Sequence, residues 1–198
     1  MIPIGTALAD EIVQLRPLAE GDVDGLWAAA SDPEIWRYMR AGLVDSREKM
    51  VAWVAGAIAA RERLGDYPFV TVDALTGRVA GATRFMTVEP ANRSLEIGGT
   101  WLGPNFQRTP LNTHAKYLML RYAFEELRCV RVQLRTDSRN GKSQRAIERI
   151  GAVKEGTFRK DFIYPDGYQR DTIFYSIIEP EWPAVKARLE NLLSGGKK

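Results

Sequence analysis

Between Trp101 and Thr113 the chain reads Trp-Leu-Gly-Pro-Asn-Phe-Gln-Arg-Thr-Pro-Leu-Asn-Thr. An apolar, β-compatible end runs into a Gly-Pro turn, and a helix begins after a short polar gap. Thr109 suits the N-cap, and Pro110 suits the first helical position, where its missing N–H costs nothing. The first turn of such a helix carries free N–H groups and the positive end of the backbone dipole, and Arg108 adds a full charge beside them. That combination binds anions, with phosphate the natural candidate. His114, the only histidine, excludes a multi-histidine metal site. It is expected on the polar side of the helix, at the surface or near the phosphate. No Gly-x-Ser-x-Gly, His-Glu-x-x-His or Gly-x-x-x-x-Gly-Lys-Ser/Thr pattern occurs, which removes the common hydrolase, metalloprotease and P-loop readings. The single cysteine, Cys129, cannot form an internal disulfide and reads as a buried structural thiol.

The elements that must position this turn follow from periodicity. Leu111, Ala115, Leu118, Met119, Tyr122, Ala123 and Leu127 recur at three- and four-residue spacing, which predicts an amphipathic helix packed on a sheet. Upstream, Val13 to Pro17 reads as a short strand, and Glu20-Gly-Asp22 opens a helix through Leu26, Trp27 and Ala30. Asp32-Pro33 starts a helical turn carrying Ile35, Trp36, Tyr38 and Met39. Asp45-Ser-Arg-Glu48 resembles a capping box, with Asp45 as the cap of a helix that ends near Gly65. Phe69 to Asp73 and Val79 to Val88 form an antiparallel hairpin. A third strand runs through Leu95, Ile97 and Trp101, and its Gly98-Gly99 pair predicts a bulge or a close ligand. Beyond the central helix come a strand at Val130 to Thr136, a short helix at Ser143 to Ile150 closed by Gly151, and a hairpin of Phe158 to Tyr164 with Asp171 to Ile178. Pro165-Asp-Gly167 turns that hairpin. Pro180 to Leu193 is expected to be a terminal helix and Ser194 to Lys198 a disordered tail, leaving residues 1–193 as one domain.

The 198 residues are 45% hydrophobic and 27% charged, ordinary for a soluble globular domain. No apolar run approaches the ~18 residues of a membrane span, and the start lacks a signal-peptide pattern. A cytoplasmic protein with no membrane partner is therefore expected. A formal charge of +3 is too small to imply nucleic acid, and the arginines from Arg121 to Arg149 lack the interleaved aromatic platform such binding uses. They read either as a solvated basic face or as an electropositive rim for phosphates.

Gln107-Arg-Thr-Pro-Leu-Asn112 occupies the place of a Gln/Arg-x-x-Gly-x-Gly/Ala loop. Downstream, Asn140-Gly-Lys-Ser143 with Ile150-Gly151 and Glu155-Gly156 matches an Asn-x-x-Ser…Gly…Glu-Gly block. On these residues the chain resembles the GNAT superfamily of acyl-CoA-dependent N-acyltransferases, in particular its RimJ/RimL-like branch of ribosomal-protein N-terminal acetyltransferases. The resemblance covers Leu95 to Arg159. It implies an α/β (α+β) GNAT fold, with a central mixed, mostly antiparallel, six- to seven-stranded sheet flanked by helices on both faces. It further implies acetyl-CoA as co-substrate, no metal, and a bulged strand whose backbone pairs with the pantetheine arm as if the cofactor were an added strand.

By the same resemblance, Trp101, Leu102, Gln107, Arg108, Thr109, Leu111, Asn112 and Thr113 are expected around the cofactor, with Asn140 on the pantetheine amides. Glu96 is the expected base and Ser143 the expected proton donor to sulfur; the alternatives are a salt-bridged strand glutamate and a helix-capping serine. The backbone N–H near Trp101 or Leu102 is the expected oxyanion donor. Trp36, Tyr38, Met39 and Glu96 are expected at the acceptor entrance. The acceptor is a small-molecule amine or a protein N-terminus, and an edge strand and terminal helix leave room for a homodimer. A coenzyme A-binding module without catalysis is the alternative, kept open by Pro110 and Asn112 where the family has small residues.

Overall fold

The computed structural model describes residues 2–164 and 166–195. Pro165, predicted to open the last turn, and residues 196–198 of the predicted tail lie outside the described residues.

Eight strands make one sheet: β1 (Leu8–Ala9), β2 (Val13–Pro17), β3 (Tyr67–Asp73), β4 (Val79–Glu89), β5 (Ser94–Leu102), β6 (Arg131–Asp137), β7 (Val153–Ile163) and β8 (Gln169–Ile178). Their order is β1-β2-β3-β4-β5-β6-β8-β7, with every pairing antiparallel except β5 with β6. The sheet exceeds the expected strand count because β1, two residues long, is too short to leave a periodic signal. β7 begins five residues before the predicted Phe158, since the segment is an edge strand whose side chains are mostly exposed and carry no alternation.

Helices α1 (Val23–Ala29) and α2 (Arg47–Leu64) cover one face. There Leu26, Met50, Val54 and Ala57 pack with Val70, Val72, Ala82 and Trp101. The other face is covered by α3 (Leu111–Arg121), α4 (Gly141–Arg149) and α5 (Trp182–Leu193). Leu111, Leu118, Met119, Ile147, Val185 and Leu189 pack there with Phe85, Leu95, Ile97 and Val132. The alternation of β5 therefore sends Leu95 and Ile97 to the α3 face and Glu96 to the α1/α2 face.

The caps show how locally these elements are specified. Ser46, not Asp45, caps α2: its Oγ accepts from Lys49 N at 3.2 Å, while Asp45 pairs with Lys49 Nζ at 2.7 Å. Ser46 has the extended φ/ψ that an N-cap needs. Gly65 closes the helix at φ 70° and Gly151 follows α4 at φ 100°, both left-handed as predicted. α3 continues into a π-helical turn at Tyr122–Glu126, which has no signature in the residue pattern.

Candidate active site

β5 and β6 pair only at Ser94 to Glu96 with Arg131 to Gln133. Beyond Glu96 the two strands have no registered partners in each other, so a wedge opens between Ile97–Leu102 and Leu134–Asp137. Buried backbone N–H and C=O groups need partners, and past Glu96 the inner edge of β5 has none from β6; at its far end Leu102 O is taken by a side chain.

A bulge bends β5 just past the apex. Arg84 faces Gly98 and Ala82 faces Trp101, so Thr83 alone opposes Gly99 and Thr100. Gly99 has φ 58°, the left-handed glycine of a common bulge type. The two glycines also leave space for charge. A Cβ on Gly98 would sit 2.9 Å from Glu96 Oε1, and one on Gly99 would sit 2.7 Å from Arg84 Nε.

Glu96 lies at the wedge apex and is 2% exposed. Its Oε1 accepts from Arg135 Nε at 2.8 Å and its Oε2 from Gln133 Nε2 at 3.2 Å. Each oxygen keeps a lone pair for a further donor. Around it stand Arg84, paired at 3.4 Å with Asp66, and Arg40, paired at 2.6 Å with Asp161. Burial raises Asp66 above the usual carboxylate range, against the pull of Arg84. The Arg40–Asp161 pair, with Arg40 over the Phe162 ring, ties the segment before α2 to β7 across this face. Tyr164 Oη strengthens the tie by donating to the Tyr38 carbonyl at 3.0 Å.

The residues expected at the acceptor entrance separate here. Trp36, 2% exposed, packs with Trp53 and Trp101 at centroid distances of 6.1 and 5.2 Å and is part of the core below the site. Tyr38 and Met39 are half-buried, Tyr38 beneath the Arg139 guanidinium and Met39 packed against the same core as Trp36.

At the exit of β5 the expected anion turn is present in altered form. Arg108 adopts φ 62°, and Pro110 is already helical; its carbonyl takes Thr113 N at 2.8 Å and His114 N at 3.1 Å. Thr109 Oγ1 donates to Phe106 O and receives Leu111 N only at 3.4 Å. Leu111 turns its side chain into the core, so only its backbone can face a ligand, whereas Asn112 is half-buried. Gln107 Nε2 donates to Leu102 O at 2.8 Å, and its Oε1 accepts from Lys142 Nζ. Arg149 reaches from α4 to Thr113 Oγ1 at 2.7 Å. Arg108 makes no ion pair among the described residues. Three cations from two elements thus gather at the start of α3.

His114 differs from expectation. It is 6% exposed, and its Nδ1 lies 2.7 Å from Asp10 Oδ2. α3 is buried on nearly all sides, so its supposed polar face meets the β1–β2 turn rather than solvent. Burial works to raise the Asp10 carboxyl, but hydrogen bonds from His114 and the backbone of Val13 and Ile12 outweigh it and hold the group below its ordinary range.

α4 starts at Asn140, whose Oδ1 accepts from Ser143 N at 3.0 Å. Asn140 is the cap, which leaves the Ser143 hydroxyl without that duty. Cys129 is buried, and burial pushes its thiol up.

Sequence reasoning passed over Gln133, Arg40 and Lys116, and read Arg135 only as one of the arginines of the basic face. The 2.0 period of Val130 to Thr136 puts Gln133 and Arg135 on one face, but only the parallel pairing with β5 shows that this face holds Glu96. Lys116 is 7% exposed and, among the described residues, bonded solely to threonine hydroxyls, and burial pulls its ammonium down to about 7.

The acetyltransferase (GNAT) domain family matches residues 13–153. Bacillus subtilis YdaF, whose name is "Putative ribosomal N-acetyltransferase", is 34% identical over 110 residues, 56% of this chain and 59% of YdaF. This match thus spans less than two thirds of that relative. YoaA of the same organism, named an N-acetyltransferase, is 24% identical over 91% of this chain and 99% of its own. The crystal structure of a GCN5-related N-acetyltransferase from Brucella melitensis superposes with a TM-score of 0.90 at 30% identity, covering 99% of this chain and 91% of that one. The chain belongs to the GNAT family of acetyltransferases.

Proposed function

We propose that residues 1–193 form one acyltransferase domain that moves the acetyl group of acetyl-CoA to a primary amine by direct attack in a ternary complex. The observation that carries this reading is the wedge: the free edge of β5 leads to a helix start ringed by Arg108, Lys142 and Arg149. An extended amide arm can pair with that edge as an added strand. Its phosphates then meet the positive end of α3. Asn140 uses its carbonyl oxygen on the α4 cap, so its amide NH2 is the group left for the arm.

Glu96 takes the proton of the ammonium through a water, and the neutral amine attacks the thioester carbon. The N–H of Trp101 or Leu102 receives the oxyanion. The C–S bond then breaks, the Ser143 hydroxyl gives its proton to the thiolate, and the proton that the attacking nitrogen sheds as the amide forms returns through water to the serine oxygen. The acceptor is a small amine or a protein N-terminus, and the name of YdaF directs the first tests to ribosomal-protein N-termini. The setting is cytoplasmic.

Mass spectrometry of amine and peptide libraries after incubation with enzyme and acetyl-CoA tests the proposal, and acetylated product supports it. Coenzyme A binding with no product from any amine would leave a second reading, a cofactor-binding module. The engagement of Glu96 by Arg135 favours that reading.

Arg108→Glu is expected to weaken coenzyme A binding several-fold, most at low salt, because it reverses a charge beside the phosphates. Unchanged affinity by calorimetry would remove this turn as the phosphate site. Ser143→Ala is expected to lower kcat while leaving the cofactor Kd unchanged, since a proton delivered to the leaving group matters in the transition state. A parallel loss of affinity would make Ser143 a binding residue.

A further inference from the structure

Beneath the bulge of β5, on the face opposite Glu96, lies a closed triangle of polar groups, with Thr83 and Lys116 buried and Thr100 half-buried. Thr83, the β4 residue that opposes the bulged pair, has its Oγ1 2.7 Å from that of Thr100. From α3, Lys116 Nζ donates to Thr100 at 2.8 Å and to Thr83 at 3.4 Å. No carboxylate pairs with Lys116 among the described residues. A buried amine with hydroxyls as its sole partners costs the fold desolvation that no ion pair offsets. A methionine of similar length would fill the space without that cost. What it could not do is hold two hydroxyls together at the point where β5 turns.

We propose that Lys116 is a positioning residue for acyl transfer: it holds Thr100, and through it the bulge that aims the N–H of Trp101 or Leu102 into the wedge. The same helix carries the anion turn in its first residues, so one rigid element sets both the phosphates and the oxyanion donor. Met86 and Glu96 crowd Gly98 and Arg84 crowds Gly99, so Thr100 is the one side chain that the bulged pair carries. This inference rests on the acetyl-transfer reading above.

Lys116→Met is expected to lower kcat by ~10- to 10²-fold, the scale of a small misplacement of catalytic groups. The coenzyme A Kd should not change. Thr100→Val should reproduce the loss and Thr100→Ser should retain activity. The double variant Lys116→Met/Thr100→Val should be no slower than the slower single, because both break one unit. Amide hydrogen exchange at residues 99–102 should quicken in Lys116→Met. Wild-type kcat in Lys116→Met, multiplicative losses in the double variant, or a loss that only tracks the folded fraction would each overturn the proposal. Should wild-type enzyme release no coenzyme A with any amine, the acetyl-transfer reading fails by itself. Unchanged exchange at residues 99–102 would then separately show that Lys116 does not pin the bulge.

Discussion

Glu96→Gln is expected to slow acetyl transfer by the ~10² to 10⁴ typical of lost general-base catalysis. Glutamine keeps the shape and can still accept from Arg135 through its one carbonyl oxygen, but it turns an NH2 toward Gln133 and cannot take a proton. The size of the loss should depend on pH. A free α-amino group has a reference pKa of about 7.7 to 8.0, so above that range the substrate arrives neutral and the base has less to do. Rates under subsaturating amine from about pH 6 to 10 should therefore show the two profiles converging at the alkaline end. Profiles that stay parallel would make Glu96 a holder of the wedge apex, through its pairing with Arg135, and the base would have to be sought elsewhere. The substitution also leaves Arg135 without its carboxylate. The folded fraction of the variant must therefore be measured alongside, to keep a stability loss from passing as a catalytic one.

The site was legible in the sequence where function depends on backbone conformation. Gly98-Gly99 in a strand asks for a bulge, and the bulge lies at Gly99 and Thr100. Gly-Pro followed by Thr-Pro marks a helix entry, and α3 begins within two residues of Thr109. The short helix expected from Ser143 is there, but it begins at Gly141 and its cap is Asn140, not the serine that the sequence offered as the alternative. The wedge itself was not legible, because it is the absence of pairing beyond Glu96, and no residue type encodes where two strands part. The environments of His114 and Lys116 were hidden for a related reason. Helical periodicity sorts residues into faces by type, yet α3 is enclosed by the sheet, the β1–β2 turn and α5, so His114 and Lys116 are buried with the rest. Trp36 shows the converse. An aromatic residue near a cleft suits ligand contact as well as core packing, and only its place between Trp53 and Trp101 decides for the core.

Lys116 carries the second large effect, on stability rather than rate. Burial lowers its pKa from 10.5 to about 7. Between those values the unfolded chain binds a proton that the folded protein does not, so stability rises with pH across this window. Below about 7 both states are protonated and the full penalty applies, whereas above 10.5 neither is and the penalty vanishes. At 1.36 kcal/mol per pKa unit, the penalty at full strength is about 4 to 5 kcal/mol. Lys116→Met removes it, and Thr83 and Thr100 still bond to each other at 2.7 Å. The variant is thus expected to be more stable than wild type at pH 7, with the gap shrinking by about 4 kcal/mol as pH approaches 10.5, because every other titrating group is shared. Urea unfolding of both proteins at several pH values from 7 upward measures the gap directly. A gap that stays constant with pH would mean that the lysine keeps an ordinary pKa in the fold. A variant less stable than wild type throughout would mean that the hydroxyl triangle contributes more than the buried amine costs, making Lys116 a stabilising element of the bulge.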